Sequence, residues 1–284
     1  FKGLQDKARE KIQTIADDRG LTTEELEDRL APDLGLDEQG TLVLDFGPRQ
    51  FKVGFDEALK PFVRERTDGR DGPRLPDLPK PKKTDDEALG KAAVERFKLL
   101  KKDARTIASQ QVLRLEVAMC SRRRWTPEVF RTFLAHHPLV RHIAQRLVWG
   151  VFVVEAGKTG GSSAIPASDE AADADAEISF PNHGGQLVAC FRLAEDGSLT
   201  TADDEPFTLP DAPDAQHAVR IGVPHALHMR AEDAQAFGQL FADYELLQPF
   251  AQIGRDTYAL TEAERAGSKL TRWLNVVVPT GSVM

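Results

Sequence analysis

The chain has 284 residues, 41% of them hydrophobic and 29% charged, with a formal net charge of −8, which is ordinary for a soluble globular protein with one large core or two modest ones. Its longest apolar run, Val148 to Val154, contains a glycine and is far below the ~18 residues of a bilayer-spanning helix, so no membrane partner is expected. Two cysteines, Cys120 and Cys190, are too few for a disulfide framework, and a reduced, cytoplasmic setting is the simplest expectation.

The first residue is Phe1 rather than Met and already lies in a helical pattern. The chain is therefore read as a piece of something longer, with residues 1–40 a helical segment continuing an upstream region. Leu4, Ala8, Ile12 and Ile15 recur at helical spacing up to Gly20. Thr22 and Glu25 then stand at capping-box spacing, which predicts a short helix to about Ala31, before Pro32. From Thr41 the period changes. Leu42, Leu44 and Phe46 alternate, Gly47-Pro48 supplies a turn, and Phe51, Val53 and Phe55 alternate again, which is a hairpin signal. Residues 67–83 are rich in proline, glycine and charge and read as an extended connector.

Residues 85–124 form the longest periodic segment. Leu89, Ala93, Phe97, Leu100, Ala104, Ile107, Gln111, Leu115 and Ala118 mark one face, with Lys91, Lys98, Lys102 and Arg105 opposite, so a long amphipathic helix with a basic outer stripe is expected. Thr126 is placed as an N-cap with Pro127 at the first helical position. Phe130, Phe133, Leu134 and His137 share a face. Pro138 ends that helix and starts another, with Leu139, Val140, Ile143 and Leu147 inward. "GVFVV" is strand-like, and residues 155–177 read as a mobile acidic loop. A second hairpin turns at Asp196-Gly197. A strand over 218–223, a helix over 231–247, a short strand over 256–260 and a helix from Thr261 complete a main domain of residues 41–273, leaving 274–284 as a tail. The sum is an α+β fold, in which antiparallel hairpins pack with a long amphipathic helix and several shorter helices.

Charge is unevenly spread. Between Lys91 and Arg146 thirteen Lys or Arg face four acids. Such a segment seeks either acids elsewhere in the fold or an acidic partner, whether a protein, another domain of the same long chain, or nucleic acid. Candidate anion or nucleic-acid contacts are the stripe Lys98, Lys101, Lys102 and Arg105, together with Arg122, Arg123, Arg124 and Trp125. The three arginines also complement the negative end of the helix dipole, and Trp125 could stack on a base or pack beneath a guanidinium. His136, His137 and His142 are dense enough to suggest zinc, but no HExxH spacing or carboxylate accompanies them, and no metal is assigned. His225 and His228 lack a nearby cysteine or acid pair. Gly157-Lys158-Thr159 follows a strand like the end of a phosphate-binding loop, but Phe152 stands where that motif needs glycine. His183 to Gly185 lacks a partner nucleophile elbow. No catalytic constellation and no cofactor is implied, so a non-catalytic interaction or regulatory module of a larger protein is expected; the alternatives are a nucleic-acid-associated module using the basic helix and arginine cluster, and part of an enzyme whose site is completed by flanking segments.

The stretches "LVLDFGPRQFKVGFDEALKPFVRE", "LPKPKKTDD", "ASQQVLRLEVAMCSRRRWTPEVFRTFLAHHPLVRHIAQRLVWGVF" and "FADYELLQPFAQIGRDTYALT" together resemble a domain of unknown function near the C-terminal part of very long bacterial proteins, the molybdate metabolism regulator-like (MolR-like) proteins. Some of these carry a WGR domain, which this chain does not show. The resemblance covers most of residues 20–273. It implies a cytoplasmic bacterial protein with a regulatory or scaffold role, and it transfers no catalytic residue.

Overall fold

The structure is a computed structural model and describes residues 2–156, 185–257, 261–267, 270–274 and 276. Two N-terminal helices, α1 (Lys2–Asp18) and α2 (Thr23–Arg29), precede a meander of β1 (Leu42–Asp45), β2 (Gln50–Phe55), β3 (Pro61–Thr67) and β4 (Arg70–Leu75). The long helix α3 (Glu87–Cys120) follows, then α4 (Pro127–Phe130), a π turn over Arg131–Ala135, and α5 (Arg141–Ala144). Next come β5 (Val148–Glu155), β6 (Gln186–Leu193), β7 (Leu199–Thr200) and β8 (His217–Gly222), then α6 (Ala231–Asp243), α7 (Glu262–Ala266) and a 3-10 turn at Thr271–Trp273. The strands form two four-stranded antiparallel sheets, ordered β1-β2-β3-β4 and β7-β6-β5-β8. This is the expected α+β class.

Local chemistry explains most element ends. Thr22 and Glu25 make the reciprocal capping box of α2. Asp86 caps α3 by accepting from Leu89 N–H at 2.9 Å, and its own N–H donates to the Phe46 carbonyl at 3.0 Å, which ties the helix start to the first sheet. Thr126 accepts from Val129 N–H at 3.2 Å, with Pro127 at the first helical position, as expected. The chain widens afterwards, so that His136 N–H bonds the Arg131 carbonyl five residues back.

Three expectations need correction. The connector expected over 67–83 contains β4, whose partner β3 was not foreseen; a bulge between Arg64 and Arg66 interrupts their register. Being charged and exposed, β4 suits a sheet edge. The helix expected from Pro138 is reduced to α5, because residues 138–140 form a turn in which the His137 ring nitrogen Nδ1 accepts from Leu139 and Val140 N–H, both at 3.1 Å. Its far end stops where the Trp149 indole takes the Ala144 carbonyl at 2.8 Å. Asp256 and Thr257 are not strand, and the rest of that expected strand lies outside the described residues, as does the expected acidic loop beyond Ala156.

One continuous core runs along α3. Its first half packs Ala93, Phe97 and Leu100 with Leu44, Phe46, Phe51, Val53 and Val63 of the first sheet, and its second half continues through Leu115, Ala118 and Met119 to Trp125, Phe130 and Trp149. Edge-on aromatic contacts then link Trp125 to Trp149 (5.9 Å between centroids), Trp149 to Phe130 (4.7 Å) and Phe130 to Phe191 (5.8 Å). A separate cluster, Val148, Cys190, Met229, Phe237, Leu240 and Phe241, joins the second sheet to α6. Strand β5 contributes to both clusters, which is why it reads as an unbroken apolar run rather than an alternating one.

Two polar staples close the fold. Arg49 forks onto Asp85 (Nε to Oδ1 3.0 Å, Nη2 to Oδ2 2.6 Å) while its guanidinium lies over Phe46 and Phe51, fixing the β1–β2 turn to the approach of α3. Gln252, fully buried, accepts from Val148 N–H at 2.9 Å and donates to the carbonyls of Val148 (2.8 Å) and Pro224 (3.1 Å). Its amide thus serves the start of β5 as a neighbouring strand would. Replacing Gln252 with Ala leaves these backbone groups unpaired in the core and should cost about 2–3 kcal/mol by urea denaturation. The Arg49 fork, aided by Lys82 N–H, holds the Asp85 carboxyl at about 2, below its usual 3.8. The stability it contributes is therefore whole above pH ~4 and is lost as pH falls through about 2. Asp85→Asn should flatten that part of the acid-unfolding curve, read by circular dichroism from pH 5 to 2.

Candidate functional site

The segment "RRRW" holds four of the eight anion-contact candidates singled out from sequence, and the structure assigns them different roles. Helix α3 closes at Ser121 in a Schellman turn, with Arg123 N–H donating to the Ala118 carbonyl at 2.9 Å and Arg122 N–H to that of Met119 at 3.4 Å. Arg122 holds the left-handed conformation there (φ 57°). Trp125 next exchanges both backbone hydrogen bonds with Ile221, each 2.8 Å, so the turn adds a single bridge to the β8 edge of the second sheet. Its ring is 2% exposed. The expectation that Trp125 could stack on a base is thereby corrected, because its ring belongs to the core.

The reason for this docking is Asp28, which is fully buried on α2. Its carboxylate accepts from the Arg123 guanidinium and, at 2.8 Å, from the Trp125 indole N–H, while Arg114 Nη1 stands 2.7 Å from the other oxygen. Burial pushes the Asp28 carboxyl up and the Arg114 guanidinium down; the two arginines and the indole pull the carboxyl back. Arg114 is poorly served: its Nε, Nη1 and Nη2 are buried with no aligned hydrogen bond. Arg123 therefore answers to an internal anion. The remaining arginine of the turn, Arg124, lies 3.6 Å over the Phe152 ring and donates to the Arg123 carbonyl at 2.9 Å. Burial lowers its pKa to about 9.

Other cations of the segment also meet their own chain. Lys101 pairs with Asp77 at 3.0 Å, Arg96 donates to the Leu34 carbonyl, and Arg141 donates to the carbonyls of Glu38 (3.0 Å) and Glu195 (2.7 Å). With Asp28 and the His137–Ala31 bond, the contacts of Arg96 with Leu34 and of Arg141 with Glu38 stitch residues 28–38 to the body that follows. Lys98, Lys102 and Arg105 differ, since they are exposed on the outer face of α3 and form no ion pair with a described residue. Leu99 (53% exposed), Leu113 (61%) and Val117 (44%) lie beside them.

The three clustered histidines do not converge. His136 is exposed. His137 is buried, accepts two backbone N–H groups through Nδ1 and bonds the Ala31 carbonyl through Nε2 at 3.0 Å, which makes it a neutral cap with its pKa lowered by burial. His142, expected off the apolar stripes, faces inward beside Phe55 and is lowered to about 4 by burial and by Arg141 and Arg146. Among the described residues no group of three His, Cys, Asp or Glu side chains is placed to hold a metal, and no helix is long and apolar enough to cross a membrane. Gly157-Lys158-Thr159 and His183-Gly184 lie outside the described residues. Asp28 and Gln252 were not foreseen from sequence, because neither stands at a motif spacing.

Asp28→Ala should cost about 3–5 kcal/mol, since it leaves two buried guanidiniums without their counter-ion. Arg114→Met should stay within about 1 kcal/mol of the parent, because it removes a poorly bonded cation and preserves volume. Paired denaturation curves check both, and equal losses would overturn this division of roles.

A family model described as a domain of unknown function, DUF4132, matches residues 72–284. The uncharacterized protein YehI of Escherichia coli (strain K12) is 38% identical over 282 residues, covering 99% of this chain and 20% of the relative. The chain thus spans about a fifth of the length of that curated relative. No solved structure matches. On the family match and on identity carried across nearly its whole length, the chain belongs to the DUF4132 family.

Proposed function

We propose that this chain is a non-catalytic interaction module of a longer bacterial polypeptide, and that the outer face of α3 docks an acidic region of the same polypeptide. The observation that carries this is the composition of that face: Lys98, Lys102 and Arg105, without ion pairs to described residues, beside the exposed Leu99, Leu113 and Val117. Lys91 extends the stripe towards the helix start. From Lys91 to Val117 the helix runs roughly 40 Å, enough for a substantial contact.

Two further points support the choice of occupant. A relative about five times as long offers ample chain to supply a partner in cis, and tethering raises its effective concentration. The resemblance to MolR-like proteins carries the same reading, a scaffold or regulatory role. A nucleic-acid surface is the weaker alternative, because exposed leucines contribute nothing to phosphate contacts and Trp125 is not available as a stacking platform.

The test is thiol labelling of a Ser109→Cys variant in the full-length polypeptide, read by mass spectrometry at that site. Ser109 is exposed within the stripe. Labelling should be about tenfold slower than in the same polypeptide carrying Lys98→Glu, Lys102→Glu and Arg105→Glu, which repel an acidic occupant. Equal rates would defeat the docking reading.

A further inference from the structure

The first sheet has two unlike faces. Helix α3 covers the inner one, where Leu44, Phe46, Phe51, Val53 and Val63 belong to the core. The face that looks away from α3 is ordered in rows across the strands. One row runs Asp45, Gln50, Arg66, Asp71 and holds acids with its cation. The next runs Val43, Lys52, Arg64, Arg74 and holds three cations and no acid. Three adjacent strands thus bring three positive side chains into register, roughly 10 Å from first to last. The row beyond places Phe62 opposite Gly54.

Like charges directly opposite one another destabilise a sheet, and neighbouring acids balance this row only at its ends. Asp71 reaches across to Lys52 at 3.6 Å, and Asp56 stands 3.1 Å from Arg74. Arg64, in the middle, makes no ion pair with a described residue; its Nη1 donates to the Gly72 carbonyl at 3.1 Å. The chain as a whole carries −8, so the row is a local concentration of positive charge rather than a product of basic composition.

Beside the cations lies an aromatic ring that the core does not use. Phe62 belongs to neither hydrophobic cluster. Its ring rests on Gly54, where a Cβ would stand 2.9 Å from the ring tip, so glycine is what lets the ring settle against the sheet. The Arg74 guanidinium lies 4.2 Å over that ring and the Arg64 guanidinium 5.6 Å. Asp56 holds Arg74 from the side. Phe62 therefore backs a planar cation whose side chain is 46% exposed.

We propose that this face binds single-stranded nucleic acid, with phosphates on Lys52 and Arg64 and a base stacked on the Arg74 guanidinium that Phe62 supports. An unpaired nucleotide uses both features at once: its phosphate answers Arg64, and the flat face of its base answers the planar cation. An acidic peptide would satisfy the row of charge and leave the stack idle. The outer face of α3 differs, because leucines rather than an aromatic are exposed among its cations. The two surfaces lie on opposite sides of the first sheet, and this proposal does not depend on the docking reading.

The experiment is fluorescence anisotropy of the 284-residue chain with labelled oligothymidylate and oligouridylate of about 12 nucleotides. Both should bind, with a log–log salt slope of about −1.4 for two phosphate contacts. Equal affinities support recognition of phosphate and base alone, and a tighter oligouridylate supports an added 2′-hydroxyl contact. Arg64→Gln should weaken binding about tenfold at low salt and flatten the slope by about 0.7. Its melting temperature should hold or rise, because the change relieves the like-charge row. Arg74→Lys keeps the charge and removes the plane, so affinity should fall at least about fivefold with the slope unchanged. Arg105→Gln, on the outer face of α3, should leave affinity as it was. Absence of binding, equal affinity for a duplex of the same length, undiminished affinity in Arg64→Gln, or displacement by polyglutamate of matched charge would each overturn the proposal.

Discussion

The structure turns on one buried carboxylate. Asp28 sits in the core with Arg123, Arg114 and the Trp125 indole around it, and an unpaired carboxylate there would cost several kcal/mol. Its partners come from α3 and from the turn that leaves it, while Asp28 itself lies on α2. A single anion therefore decides where α2 lies, how α3 ends and how Trp125 reaches the edge of the second sheet. Such an arrangement specifies geometry more than it adds stability, because the desolvation of three ionised groups offsets much of their attraction.

Helix α3 organises what remains. Its inner face carries the core from one sheet to the other, and its outer face exposes Lys98, Lys102, Arg105, Leu99 and Leu113, with Glu95, Asp103 and Ser109 among them. The excess charge between Lys91 and Arg146 divides accordingly. Arg96, Lys101, Arg114, Arg123 and Arg141 are consumed by carboxylates or carbonyls of this chain. Lys98, Lys102 and Arg105 are not, and Arg122 stands apart from both sets, in the left-handed residue that ends α3.

Periodicity made the faces legible: the inner residues of α3, the first hairpin and the β6–β7 turn follow directly from spacing, and so do the caps at Thr22 and Thr126, since a cap is a local event. Strand β4 was hidden because an edge strand is written in Arg, Asp, Gly and Pro, the vocabulary of a linker. Asp28 and Gln252 were hidden for another reason. Each is one polar side chain whose partners lie about a hundred residues away or more for some of its bonds, and no window of sequence contains both ends. The arginine cluster was visible as density but not as function, because its three members separate only once Asp28, Phe152 and the turn that ends α3 are placed in space.

The region matched by the family model starts at residue 72, inside β4 and downstream of Asp28. A protein begun there would keep only the outermost strand of the first sheet, strip Phe97 and Leu100 of their cover, and strand Arg114 and Arg123 without an anion. The stretch that the family model covers is thus shorter than the stretch that must fold together, whereas identity to the E. coli relative runs over 99% of the chain. Any shorter piece cut from this chain has to begin upstream of α2 if Arg114 and Arg123 are to keep Asp28.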